Sequence, residues 1–401
     1  MTTIEKYLEK GFHKQTDFYD KYETGLPPIP FFSLSKQNQK VKKNILDGIS
    51  ELIDNSDFIR GNIETEFEKR MSHKLSQFSK KETDLDKNYV IACSSGTTAL
   101  EVSLRSLNIG KGDEVIIPNN GWISNVGSVV SVGATPVFCD IDPETHNLSL
   151  ESTRAKINKN TKAITPIHMY GNVCDVEKFK QFEIPIIEDC SQSIGATYKN
   201  HHVGLWDEDS ISCYSFYPSK TLGAMGDCGM IVTTSEERAD KLRAIVNYGS
   251  TEKGKYTEFP MNARASNFQL AVLLEKLPYL NSYLHGRNEI MKIYDEHLPF
   301  DLFRQPKSFN RDGCSLYVYV ICPEESEYYK KRLDEENIGY SIHYPKSLVE
   351  HDIFKGYYKP IHHMPNDLQY SLEYPKRVIS LPFYPEIDID DVYRIIEVLN
   401  N

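Results

Sequence analysis

The chain has 401 residues but no Cys-x-x-Cys pair, no excess of basic charge and no uninterrupted apolar run near the ~18 residues of a membrane span. Its eight cysteines (Cys93, Cys139, Cys174, Cys190, Cys213, Cys228, Cys314 and Cys322) mostly sit inside apolar runs such as VFCD and ISCYSF. They read as buried reduced thiols, not as disulfides or metal ligands. The adjacent histidines of IHHMP at 361–365 have no partners at metal-binding spacing and read as a loop, so no metal is expected. With 46 Lys+Arg against 57 Asp+Glu, the net charge of -11 excludes a general nucleic-acid binder, whose phosphate contacts need a basic surface. The opening MTTIEKYLEKGFHKQ has no apolar core of signal-peptide length. Together these absences point to a cytoplasmic protein that partners with neither nucleic acid nor membrane.

What is present is alternation. Residues 1–40 are polar and carry GLPPIPFF, whose prolines at 27, 28 and 30 favour an extended arm. From residue 89 short apolar runs alternate with helical patterns: YVIAC, DEVIIP, ATPVFCDI, AITPIHMYG, IPIIEDC, SISCYSF and CGMIVTT, with TTALEVSLRSL and WISNVGSVVSVG between the first of them. Strand–helix alternation of this kind implies an α/β fold with a mostly parallel central sheet and helices on both faces. TSEERADKLRAIVNYG closes the series, with Ser235 as helix cap and Gly249 as stop. After the helical NFQLAVLLEKL, the strand-like CSLYVYVIC, the helical SEYYKKRLDEENIG and a terminal IDIDDVYRIIEVLN make a smaller C-terminal α/β domain. We divide the chain into an arm at 1–40, a large domain at 41–270, and connecting helices with the small domain at 271–401.

In open α/β sheets, ligands bind beyond the carboxyl ends of the strands. Four features fall there. YVIAC runs into Ser94-Ser95-Gly96-Thr97-Thr98, which opens a helix and offers N–H groups and hydroxyls to a phosphate. DEVIIP leads to Trp122, one of only two tryptophans, where an aromatic can stack on a planar ligand. IPIIEDC ends in Glu188-Asp189, an acid that could pair with a cationic ring nitrogen. SISCYSF leads to Ser215, Tyr217 and Lys220, and a buried lysine becomes a usable amine. Each alone has an ordinary reading: a serine cap, a core tryptophan, a capping aspartate, a surface lysine. In order, at the strand ends of one domain, they make the four parts of a pyridoxal phosphate site.

These motifs, with FIRGNIETEFE, HMYGN, MNARASNFQLAVL, HYP and ISLPFYPEI, make the sequence resemble the DegT/DnrJ/EryC1/StrS sugar aminotransferases, from about Ile29 to the C-terminus. The resemblance implies the aspartate-aminotransferase-like fold (fold type I) and pyridoxal 5′-phosphate as cofactor. It implies that Lys220 forms the covalent link to the cofactor and shuttles a proton. Asp189 would bind the ring nitrogen, Gln192 would reach the ring's 3-oxygen and Trp122 would stack. Gly96, Thr97 and Ser215 would hold the phosphate. Asn262 matches an asparagine that reaches the neighbouring subunit's phosphate, which implies a homodimer with shared sites. His168 in HMYG and His343 in HYP are candidate substrate contacts.

The implied reaction moves an amino group from L-glutamate to a nucleotide-linked keto-deoxysugar, in cell-surface polysaccharide or glycan biosynthesis. FYPSKTLGAMGD looks more like members that aminate carbon 3, since carbon-4 members more often carry histidine in place of Tyr217. Carbon-4 amination, a cyclitol or other keto substrate, and a non-catalytic cofactor-binding regulator are the alternatives. The regulators generally carry a separate nucleic-acid-binding domain, for which residues 1–40 are too short and polar. Relatives that replace the lysine with histidine become dehydratases, and Lys220 favours transamination. The chain departs from the family pattern at Gly121 (usually threonine), at Asn125 (usually small or hydroxylated), in an apparent insertion KKETDLDKN at 80–88, and in about 28 extra N-terminal residues.

Overall fold

The computed structural model describes residues 27–79, 88–199, 201–205, 209–300, 306, 313–354 and 365–401. Most of the N-terminal extension, the insertion after residue 79 and most of IHHMP lie outside the described residues. The large domain is built on β1 (Tyr89–Cys93), β2 (Glu114–Pro118), β3 (Thr135–Cys139), β4 (Thr161–Ile164), β5 (Ile187–Asp189), β6 (Ile211–Ser215) and β7 (Gly229–Thr233). Hydrogen bonding gives two runs, β3-β2-β4 and β5-β6-β7-β1. Parallel bridges Ile164–Ile186 and Ile167–Asp189 join them into one sheet.

The sheet is parallel except for β7, which runs antiparallel to β6 and β1. The reason is the connection. Strands β1 to β5 follow one another through crossovers, but residues 216–228 contain no helix that could carry the chain back across a face. Gly229 consequently sits in register with both Ser215 and Cys93.

Alternate residues of each strand enter opposite cores. Ile91, Ile211 and Ile231 face one side, beneath α3 (Gly96–Ser106), α4 (Ser124–Ser131) and, after α5 (Leu150–Lys156), α6 (Glu236–Val246). Val90, Tyr214 and Val232 face the other, beneath α2 (Asn62–Phe78) and α7 (Asn267–Lys276). The caps follow local chemistry: Ser95 Oγ accepts from Thr98 N–H at 3.1 Å and Ser235 Oγ from Arg238 N–H at 3.3 Å.

Helix α1 (Ser35–Asn55) packs on α7, so the boundary expected at residue 40 falls within its second turn. The long α8 (Leu280–His297) leads to the small domain, whose antiparallel β8 (Tyr319–Ile321) and β9 (Ile379–Leu381) pack with α9 (Ser326–Glu335) and α10 (Ile389–Asn400). Ile29 belongs to this core: it is 1% exposed and bridged to Ile338. No helix among the described residues is long and apolar enough to cross a membrane.

Candidate active site

The carboxyl ends of β1, β2, β5 and β6 open into a cavity of about 540 Å³ whose far wall comes from the small domain. Gly96, Thr97, Trp122, Asp189, Gln192, Ser215, Lys220 and His343 all line it. Asn262 and His168 do not.

The floor is a close junction of backbones. A Cβ on Gly96 would stand 2.8 Å from Ser215 Cβ, and one on Gly229 would stand 2.5 Å from the Ser95 carbonyl carbon. Only glycine permits the start of α3 to meet the end of β6 and the start of β7. Ser95 spends its cap on Thr98, so the N–H groups of Gly96 and Thr97 point out of the helix start without an acceptor among the described residues. The positive end of the helix, with the Ser95, Thr97 and Ser215 hydroxyls, suits a phosphate dianion.

Asp189 ends β5 and is 4% exposed. Its Oδ1 accepts the Ser191 N–H at 3.0 Å and its Oδ2 accepts Asn125 Nδ2–H at 3.1 Å. Two donors hold the carboxylate where burial alone would penalise it. Lys220 follows in the turn after β6, its N–H bonded to Tyr217 O at 2.8 Å. Its Nζ lies 4.3 Å from the centre of the Tyr317 ring. Burial pulls this amine down to about 8, against the opposing pull of Asp189. At pH 7 about a tenth of such an amine is neutral, against well under a thousandth of an ordinary lysine, and the neutral form is the nucleophile.

Gln192 is held at both ends: Oε1 accepts Tyr170 N–H at 2.8 Å and Nε2 donates to the Tyr344 hydroxyl at 3.1 Å. Trp122 is 59% exposed over the cavity, with Tyr344 at 5.8 Å between ring centres. His343 Nδ1 lies 2.8 Å from Ser380 Oγ, and burial with nearby Lys220 lowers its pKa to about 4, so the ring is neutral at pH 7.

Two candidates lie elsewhere. His168 is fully buried behind β5: its Nδ1 accepts Cys174 N–H at 3.0 Å, which leaves Nε2 to donate to Glu188 at 3.0 Å. It lies beyond the end of β4, just before the short 3-10 turn Met169–Gly171, with its ring fully buried and no access to a substrate in the cavity. Asn262 is exposed, its Oδ1 accepting from Arg264 at 3.1 and 3.2 Å. Conversely, sequence reasoning missed Tyr317, Ser219, Tyr344 and the role of Asn125. Ser219 Oγ and the Tyr317 hydroxyl are 2.8 Å apart beside Lys220. Tyr317 and Tyr344 come from the small domain, about a hundred or more residues from Lys220 in sequence; Tyr344 sits in the HYP motif beside His343 without having been singled out, and no local pattern marks Tyr317.

The residues fit pyridoxal phosphate: a glycine-floored anion cradle, an exposed aromatic, an anchored carboxylate and a desolvated lysine converge on one cavity. The model of the DegT/DnrJ/EryC1/StrS aminotransferase family matches residues 39–400. A UDP-N-acetyl-3-dehydro-alpha-D-glucosamine 3-aminotransferase of Acidithiobacillus ferrooxidans is 32% identical, over 92% of this chain and 97% of its own. A protein of Geobacillus stearothermophilus named as a pleiotropic regulatory protein is 30% identical, over 92% of this chain and 97% of its own. Among solved structures, a DegT DnrJ EryC1 StrS aminotransferase from Brucella abortus superposes with a TM-score of 0.83 at 30% identity, covering 93% of this chain and 98% of that one.

Proposed function

The chain belongs to the DegT/DnrJ/EryC1/StrS aminotransferase family and is a pyridoxal-phosphate-dependent aminotransferase, and on that premise we propose that it aminates carbon 3 of a nucleotide-linked keto-deoxysugar with L-glutamate as donor. The observation that carries the reading is the meeting of Lys220, Asp189 and the Gly96–Thr97 helix start in one cavity. The carbon-3 preference draws support from FYPSK, with Tyr217 lining that cavity, and from the 3-dehydro acceptor in the name of the Acidithiobacillus relative.

Bound cofactor supplies an electron-withdrawing ring that stabilises negative charge on the carbon bearing the amino group. The chain supplies the rest. Gly96, Thr97 and Ser215 would hold the phosphate. Asp189 would pair with the cationic ring nitrogen and keep it protonated. Trp122 would stack on the ring, and Gln192, fixed by Tyr170 and Tyr344, would reach the ring oxygen. Lys220 Nζ takes a proton from the substrate carbon and returns one in the reverse half-reaction, which its lowered basicity suits near neutral pH. His343, neutral and tethered to Ser380, offers a hydrogen bond to the sugar.

A homodimer belongs to the same proposal. Asn262 lies outside its own chain's cavity, on an exposed face beside Arg264. A two-fold interface would carry it to the opposite cradle.

The test is to convert the enzyme to its pyridoxamine form and offer 3-keto and 4-keto nucleotide sugars, following the return of the visible cofactor band. Return with 3-keto sugars supports the proposal, and return with 4-keto sugars alone overturns the position. No turnover with any keto acceptor, despite cofactor binding, favours a non-catalytic regulator; the Geobacillus relative is named as a pleiotropic regulatory protein.

A further inference from the structure

We propose that Asn125 is a positioning residue that fixes the Asp189 carboxylate toward its cationic partner, an inference that rests on the reading of Asp189 given above. Asn125 sits in the first turn of α4, is 2% exposed and lines the cavity. Its Nδ2 donates to Asp189 Oδ2 at 3.1 Å and more weakly to the Trp122 carbonyl at 3.4 Å. One amide therefore ties the acid to the backbone of the exposed aromatic. With Ser191 N–H on Oδ1, each carboxylate oxygen has one donor and the plane of the group is set.

The amide can face only one way. Turned over, Oδ1 would confront a carboxylate oxygen, acceptor against acceptor. In the orientation adopted, Oδ1 is buried with no partner among the described residues. An unpaired buried carbonyl oxygen works against folding, so what explains the side chain is the work of its nitrogen. Gly121 makes room for Ile167 at the cavity wall, since a Cβ there would stand 2.7 Å from Ile167 Cδ1, whereas Asn125 Nδ2 would lie at an ordinary contact distance of 3.8 Å.

The groups that titrate around Asp189 are known by element. Lys220 approaches from the turn after β6, Tyr344 from the small domain, Cys190 from the adjoining loop and Cys213 from β6. Glu188, the preceding residue, is turned to His168. Burial keeps both thiols and the phenol protonated. On the acid side of neutrality Lys220 is mostly charged and the loss of an Asn125 donor falls on the Asp189 carboxylate; His343, lowered to about 4 in the same cavity, titrates there too, and Asp189→Asn separates the two contributions.

The experiment titrates cofactor-free protein with pyridoxal 5′-phosphate from acid to neutral pH, reading Kd by visible absorption. Wild type is compared with Asp189→Asn, Asn125→Ala and the nearly isosteric Asn125→Asp. The part of the acid limb that belongs to Asp189 is the part that Asp189→Asn abolishes. Its midpoint is expected to rise by about one pH unit in Asn125→Ala, since a hydrogen bond to a charged oxygen is worth about that much. It should rise further in Asn125→Asp, where two carboxylates compete for one proton. Melting temperatures of the cofactor-free proteins should change little, and Asn125→Asp carries the test if Asn125→Ala does not fold. Midpoints unmoved in the folded Asn125 variants, with the limb still abolished by Asp189→Asn, overturn the proposal and leave the role of Asp189 standing. A limb that Asp189→Asn leaves untouched overturns that role instead.

Discussion

Lys220 is asked to be both covalent anchor and proton carrier, and no neighbour in the cavity can replace it in both. Lys220→Ala should lower turnover about a thousandfold or more while the fold persists. Borohydride reduction and peptide mapping check the assignment, and an adduct on another lysine ends it. Asp189→Asn should lower turnover about a hundredfold with far less effect on unfolding, since a neutral amide cannot hold the ring nitrogen charged. Equal losses of activity and stability would point to a capping role. The lysine also predicts a pH effect. Its amine is held at about 8 in the fold, against about 10.4 in the unfolded chain. Below pH 8 both states are charged and burial penalises the fold. Between the two values the unfolded chain binds more protons, so stability rises with pH and the penalty is gone above. Lys220→Met should therefore exceed wild type in urea stability at pH 7, by a margin that closes toward pH 10. A margin equal at both pH values would contradict this. At this scale the sequence was most legible where a residue type is expensive to bury: Lys220 and Asp189 declared themselves. His168 did not, because a strand end shows where a residue is and not which face its side chain takes.

Among the elements, the start of α3 carries the sharpest constraint. Gly96→Ala would put a methyl 2.8 Å from Ser215 Cβ and force the helix away from β6. Cofactor binding should weaken about tenfold or more, as expected when a bond from a helix N–H to an anion is lost. A cofactor titration checks it, and wild-type affinity would show that the cradle tolerates the shift. The runs at 89–93, 114–118, 135–139, 187–189, 211–215 and 229–233 were legible because short apolar bursts between turn residues have few other solutions. The direction of β7 was not. Periodicity carries no sign, and only the missing helix between Ser215 and Gly229 hinted at a return. The bridging of Ile29 to Ile338 was equally hidden, because a proline-rich extended segment does not say what it lies against.

At the scale of the whole molecule, the homodimer reading makes a prediction about mixtures. If Asn262 acts across an interface, a Lys220→Ala subunit paired with an Asn262→Ala subunit has one doubly defective site and one intact site. Part of the activity should return on mixing. If Asn262 acts within its own chain, each site keeps one defect and mixing restores nothing. Sedimentation supplies the second check, since a fully active monomer at assay concentration removes the basis for the experiment.

The union of Ile29 with the small domain also bears on synthesis. Ile29 must stay without its partners until Ile338, Ile379 and Ile395 have emerged, while the seven-stranded sheet can close as soon as Thr233 is out. Phe31 lies 5.9 Å from His343, ring to ring, and a Cβ on Gly339 would meet Phe31 N at 2.6 Å. Phe31 thus backs a cavity wall whose own residues, His343 and Tyr344, lie far later in the chain than the cradle and the lysine, so that wall cannot be complete until long after both have been made.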